Sequence, residues 1–281
     1  PDIAGYLAAN YFDDLIGEPI WEVERRLGED EFERLLILGL RAYNIRDIVE
    51  VGEPDAQAVS NAIGLLVRRA AIAELLGLRG GDDAVQPLAT DLVYHCPADI
   101  DSRISRCALE CRVEAMFALA GICNKKAVDA LAAIAFTEDA CWDCVLLASM
   151  GLVIARHVQV EKNVSIAIPD PGIATTACWC KAGGTTFLGF LSDVRMSGGI
   201  HVIPGWSWDP GQFVKGVPSS ELREAARELL HESWPEQELA LSLFAEYGTR
   251  DDLPLLRTKL ENESRAGLVH GAIERIQRRT Q

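Results

Sequence analysis

The sequence predicts a mainly α-helical protein. The expected architecture is an α-solenoid of antiparallel helix pairs, interrupted by a Gly/Pro/Trp-rich, partly β insertion. Three observations carry that reading. Apolar residues keep a helical period over long stretches, as in Ala58, Ile63, Leu65, Leu66, Ala70, Ile72, Leu75 and Leu76. Similar segments return at intervals of about 30–45 residues, the spacing of helical repeat units. Both signals vanish between residues 160 and 218, which hold nine of the 23 glycines, five of the twelve prolines and three of the six tryptophans.

Residues 1–53 read as acidic N-terminal helices. Leu27, Phe32, Leu35, Leu36, Leu38 and Leu40 lie among charges, and Asp30 and Glu31 precede the apolar run, as suits a helix N-terminus. Gly52 and Pro54 end the segment. Residues 54–159 follow as helical repeats, with Pro54–Leu78 forming one long helix or two short ones. "LLGLRGGDDAVQPLATDL" (75–92) then runs helix, turn, helix. "ALAGICNKKAVDALAAIA" (118–135) repeats it 43 residues later, and "FAEYGTRDDLPLLRTKL" (244–260) repeats it again. "CRVEAMFALAGI" (111–122) matches "CVLLASMGLVIA" (144–155) at an offset of 33. In the C-terminal repeats, 219–281, Ala240, Leu243, Phe244 and Tyr247 match Val269, Ala272, Ile273 and Ile276 at an offset of 29. The turns "GGDD", "NKK" and "TRDD" are expected to join paired helices, each pair covering the apolar stripe of its neighbour.

These segments, 75–157 and 220–279, resemble the HEAT-repeat family, specifically the short type seen in phycobilin-lyase-like proteins. The resemblance implies a HEAT-like solenoid. The resemblance is architectural and says little about role; the extended concave face that solenoids commonly offer is a candidate recognition surface.

The insertion at 160–218 leaves short runs of β character at Val164–Ile168, Thr185–Leu191 and Gly199–Ile203. Its aromatic content argues against disorder. It is expected to lie against the helices as a partly β-structured region.

The chain of 281 residues is 49% hydrophobic, enough for sizeable cores. It carries a net charge of −15, and residues 1–100 hold 19 acids against 8 basic residues. Such a surface repels phosphate backbones, so no nucleic acid is expected, and a basic partner is favoured. No membrane association is expected, because no uninterrupted run of about eighteen apolar residues stands out. The N-terminal stretch has early acids and no basic region, unlike a secretory signal.

Eight cysteines are too sparse for a disulfide scaffold and point to a reducing cytoplasm. "CWDC" has the spacing of a metal or redox pair. The repeat alignment gives a different first reading. Cys111, Ala115, Leu119 and Ile122 form one stripe, Cys144, Ala148, Leu152 and Ala155 its equivalent, and Cys107 and Cys141 extend them by a turn. Free cysteine serves there as a small apolar residue. A metal site of Cys107, Cys111, Cys141 and Cys144 is the second reading, and redox chemistry the third. Cys178 and Cys180 in the insertion would share a face if extended, and with His201 are the candidate catalytic groups. "PGWSWDPG" (204–211) presents aromatics suited to binding. No Walker or dinucleotide pattern occurs, so no cofactor is expected.

The leading functional expectation is a protein- or peptide-binding scaffold. Its concave face and insertion would act together, with Trp179, Trp206, Trp208 and Phe213 as anchors and Phe187 and Phe190 as support. The alternative is an enzyme or maturation factor with a small-molecule pocket capped by the insertion, or a cysteine-liganded metal protein.

Overall fold

The computed structural model describes residues 24–25, 27–42, 44–49, 56–97, 99–138, 140–197, 208–260 and 266–279. The described residues form an all-α protein of thirteen α-helices and two short 3-10 turns, without a strand. They fall into two compact units, one built from the chain up to Asp170 and the other from Pro171–Met196 and the residues from 208 onward.

The first unit contains α1 (Glu29–Ala42), α2 (Ile45–Val49), α3 (Ala56–Arg79), α4 (Asp82–Leu92), α5 (Ser102–Ile122), α6 (Lys125–Ala135) and α7 (Trp142–Glu161). The expected joints stand where the turn residues place them. Gly80 and Gly81 separate α3 from α4. Between α5 and α6, Cys123 takes a left-handed backbone, φ 48°, as the C-cap of α5. Asn124 then caps α6 by accepting from the Ala127 amide at 2.8 Å. Removing such a cap costs about 1 kcal/mol. The same Asn124 donates to the Asp82 carboxylate at 2.9 Å, so consecutive turns are tied to each other.

The long helices α3, α5 and α7 pack side by side in that order, α5 against both neighbours. Helices α4 and α6 pack on each other and on these. The stripe Cys111, Ala115, Leu119 and Ile122 is buried throughout, as is Cys144, Ala148, Leu152 and Ala155. Leu66, Leu76, Leu88 and Leu92 are fully buried, each worth about 1.5–3 kcal/mol. The approach of α3 and α5 is closest at two glycines. A Cβ on Gly77 would stand 2.8 Å from the Ala118 Cα, and one on Gly121 2.7 Å from the Gly77 carbonyl oxygen.

Trp142–Glu161 is long and apolar enough to cross a membrane by length and composition, although its charged and polar residues hid that in the sequence. In the protein 72% of its most apolar window is buried within the unit.

The second unit contains α8 (Gly172–Ala182), α9 (Gly184–Met196), a 3-10 turn at Pro210–Phe213, α10 (Ser219–Leu229), α11 (Trp234–Tyr247), a second 3-10 turn at Arg250–Asp252, α12 (Leu253–Leu260) and α13 (Ala266–Arg279). Helices α11 and α13 pack together through Ala240, Leu243, Phe244, Val269, Ala272, Ile273 and Ile276, the residues of the 29-residue repeat. The buried Asp252 carboxylate accepts from Arg227 at 2.5 Å and, with Thr249, forms a reciprocal cap for the turn before α12.

Among the described residues the insertion is helical, not partly β. Val164–Ile168 has no regular structure, Thr185–Leu191 lies inside α9, and Gly199–Ile203 lies outside the described residues. Gly183, at φ 79°, ends α8 and lets α9 begin at the next residue. The buried residues of α9, Phe187, Leu188, Leu191 and Val194, follow a helical spacing that the β-branched and aromatic composition masked.

Candidate functional site

The residues singled out in the insertion separate once they are placed on helices. Cys178 and Cys180 do not share a face. Two residues apart on α8, they point in nearly opposite directions, so Cys178 is buried and Cys180 exposed. His201 and Trp206 lie outside the described residues. Trp179 and Phe213, expected as exposed anchors, belong to the interior of the second unit. Trp179 is 5% exposed, donates its indole N–H to Glu221 at 2.9 Å and meets Phe187 edge-on at 5.4 Å. Phe213 is buried against Trp208, ring centres 5.1 Å apart. Phe187 is fully buried and Phe190 half-buried. Trp208 keeps partial exposure and lines a groove of about 730 Å³ with Leu241, Leu268, Glu238 and Glu246.

The four helix cysteines do not converge on one point. Cys111 is buried and directs its thiol to the Leu66 carbonyl oxygen, 3.1 Å away. Cys107 packs on the core cluster of Val59, Leu66, Tyr94 and Ile104. Burial pushes the Cys111 thiol well above its ordinary range and raises Cys107 as well, so neither is primed for ligation. Cys141 and Cys144 are instead joined to each other by a disulfide, their Cα atoms 5.4 Å apart. Cys141 is the half-buried N-cap of α7, and Cys144, in the first turn, is 1% exposed.

This corner is built by a buried arginine. Arg112 of α5 donates to Asp143 at 2.8 Å, to the Cys144 sulfur at 3.2 Å and to the Leu92 carbonyl oxygen at 3.3 Å. It stands 43 residues after Arg69 of α3, the interval of the repeat itself. Arg69 is also buried, and it forks onto Asp91 at 2.5 and 2.8 Å. Burial pushes the Asp91 carboxyl up to about 6 against the pull of that guanidinium. Beside the disulfide, a ring nitrogen of the exposed His95, the Cys141 sulfur and an Asp143 oxygen lie within 4.8 Å of one another.

A second site lies on the face made by α3, α5 and α7. A cavity of about 360 Å³ is lined by Glu74, Gly77 and Leu78, by Glu114, Phe117, Ala118 and Gly121, and by Val158, Glu161 and Lys162. The helix glycines that let α3 and α5 approach also open this space. Glu114 is 8% exposed, and its Oε2 has no hydrogen-bond partner. Burial, reinforced by Glu74 and Glu110, pushes its carboxyl up to about 8. The Lys162 ammonium is engaged by the Gly121 carbonyl oxygen.

Sequence reasoning passed over Glu114 and Arg112. The signal was present in "CRVEAMFALAGI", where two charged residues interrupt an otherwise apolar run. Buried ionisable groups in such runs are costly and point to a partner. Arg112 has its partners within the chain. Glu114 has none at Oε2.

Comparison with protein-family models, with curated proteins and with solved structures finds no match.

Proposed function

We propose that this chain is a HEAT-like α-solenoid binding protein that takes an organic cation with an apolar body into the pocket between α3, α5 and α7. The neighbour order of α3, α5 and α7 in one layer and α4 and α6 in the other supports the solenoid reading. The observation that carries the binding role is Glu114. A carboxyl group 92% removed from solvent, with one oxygen unpartnered, lines an apolar cavity. Leaving such a group unsatisfied costs about 1–3 kcal/mol. An ammonium or guanidinium supplied by a ligand satisfies Oε2 and offsets the field of Glu74 and Glu110. Leu78, Phe117 and Val158 then cover its hydrocarbon body. The acidic balance of residues 1–100 favours the approach of such a cation. Recognition of a partner by this face keeps the scaffold role expected from the sequence, with the anchoring site moved away from the insertion.

The experiment compares primary alkylamines with alcohols of the same length, binding being read by calorimetry on the full chain. Amines should bind and alcohols should not, and Glu114→Gln should abolish the difference. A lysine-containing peptide tested beside the free amine distinguishes a side chain of a partner from a small molecule. Equal binding of amine and alcohol would overturn the proposal.

A further inference from the structure

A second activity is written at the start of α7, away from the Glu114 pocket. Two sulfurs in a Cys-x-x-Cys pair are bonded there, and their surroundings differ. Cys141 is half-buried at the N-cap, whereas Cys144 is enclosed one turn into the helix. An arginine whose own side chain is buried stands 3.2 Å from the enclosed sulfur. We propose that Cys141 and Cys144 form a thiol–disulfide exchange site for peptide cysteine thiols, with Cys141 exchanging and Cys144 leaving and resolving.

The geometry assigns each step. A substrate thiolate attacks the sulfur of the half-buried Cys141, the less enclosed of the two, and the Cys141–Cys144 bond breaks. The bonding pair goes to Cys144, whose thiolate lies against the Arg112 guanidinium. A new bond now joins the substrate sulfur to Cys141. A second substrate thiolate attacks the substrate sulfur of that mixed disulfide, and Cys141 departs as a thiolate. The substrate pair is oxidised by two electrons and the Cys141–Cys144 pair is reduced by two. The substrate's thiol protons pass to the two new thiolates or to solvent. An external disulfide restores the oxidised pair by the reverse sequence.

Helix N-termini favour a thiolate, since the unpaired backbone N–H groups carry positive character. The leaving sulfur departs faster the better its thiolate is stabilised, and Arg112 supplies that charge in a place closed to water. A metal at His95, Cys141 and Asp143 is the competing use of the same atoms. It requires Cys141 reduced, and it leaves Asp143 only the carboxylate oxygen that Arg112 does not hold in their buried pair.

The test equilibrates the full chain without oxygen against mixtures of reduced and oxidised glutathione. Alkylation and mass mapping then report each cysteine separately. Cys141 and Cys144 should become labelled together along one two-electron transition. Cys144→Ser should accumulate a glutathione adduct at Cys141, at least tenfold more than Cys141→Ser accumulates at Cys144. Circular dichroism on both variants verifies the fold, and the wild-type titration stands without them. Persistent labelling of both cysteines in oxidised glutathione would overturn the proposal. So would equal adducts in the two variants, or stoichiometric zinc taken up by the reduced chain with Cys141 protected.

Discussion

Replacing Glu114 by glutamine should stabilise the protein above neutral pH and change it little in acid. The folded chain holds this carboxyl up to about 8, against 4.5 for the group free in water. Between those values the unfolded chain releases a proton that the folded chain keeps. Stability therefore falls as pH rises, with a slope of up to about 1.4 kcal/mol per pH unit from this one group. The accumulated loss is ~3 kcal/mol at pH 7 and approaches ~5 kcal/mol above pH 8, an order of magnitude set by burial. Glutamine has nearly the same shape and no charge to lose. Its buried amide carries a cost, but that cost does not vary with pH. The assay is urea unfolding of both proteins at half-unit steps from pH 4.5 to 8.5. Asp91, also raised, titrates in both proteins and cancels in the difference. The difference should grow with pH and level off above pH 8. A difference that is the same at pH 4.5 and pH 8.5 would refute the assignment of Glu114 as a proton-holding group.

Three further outcomes follow from the packing. Asp91→Ala leaves the Arg69 guanidinium buried without its carboxylate and should cost about 3–5 kcal/mol in denaturant unfolding, with Arg69→Met in the same chain recovering most of it. Gly121→Ala drives a Cβ against the Gly77 backbone and should lower stability by about 1–3 kcal/mol while reducing amine binding, because α3 and α5 must part. A neutral alkylating reagent should label Cys180 within the native protein and Cys178 only on unfolding, since one faces solvent and the other is enclosed.

The helix pairs were legible because their signals are local. A glycine pair at 80–81, an asparagine at 124 and a threonine at 249 each mark a joint by turn or cap chemistry, and the apolar stripes between them read directly as α3, α5 and α7. The insertion was misread because composition outweighed spacing. Glycine, threonine and phenylalanine around 183–190 suggest strands, yet one residue with positive φ suffices to set two helices end to end. The cysteines were partly legible. Repeat alignment identified Cys111 and Cys144 as buried, but it placed Cys141 on the helix stripe when that residue caps α7. Nothing in the spacing says that Arg112 reaches across to Asp143 and the Cys144 sulfur, because that meeting depends on how α5 and α7 lie together. Glu114 was readable as an anomaly within an apolar run, though its missing partner is visible only in three dimensions.

Proton release measures the capture of a cation by Glu114 most directly. At pH 7 the carboxyl is largely protonated, so an incoming ammonium should displace close to one proton. Calorimetric titration of the chain with a primary alkylamine in two buffers of different ionisation enthalpy gives that number. About one proton should be released per amine bound, and none in Glu114→Gln. Amine binding without proton release, or release that survives in Glu114→Gln, would contradict it.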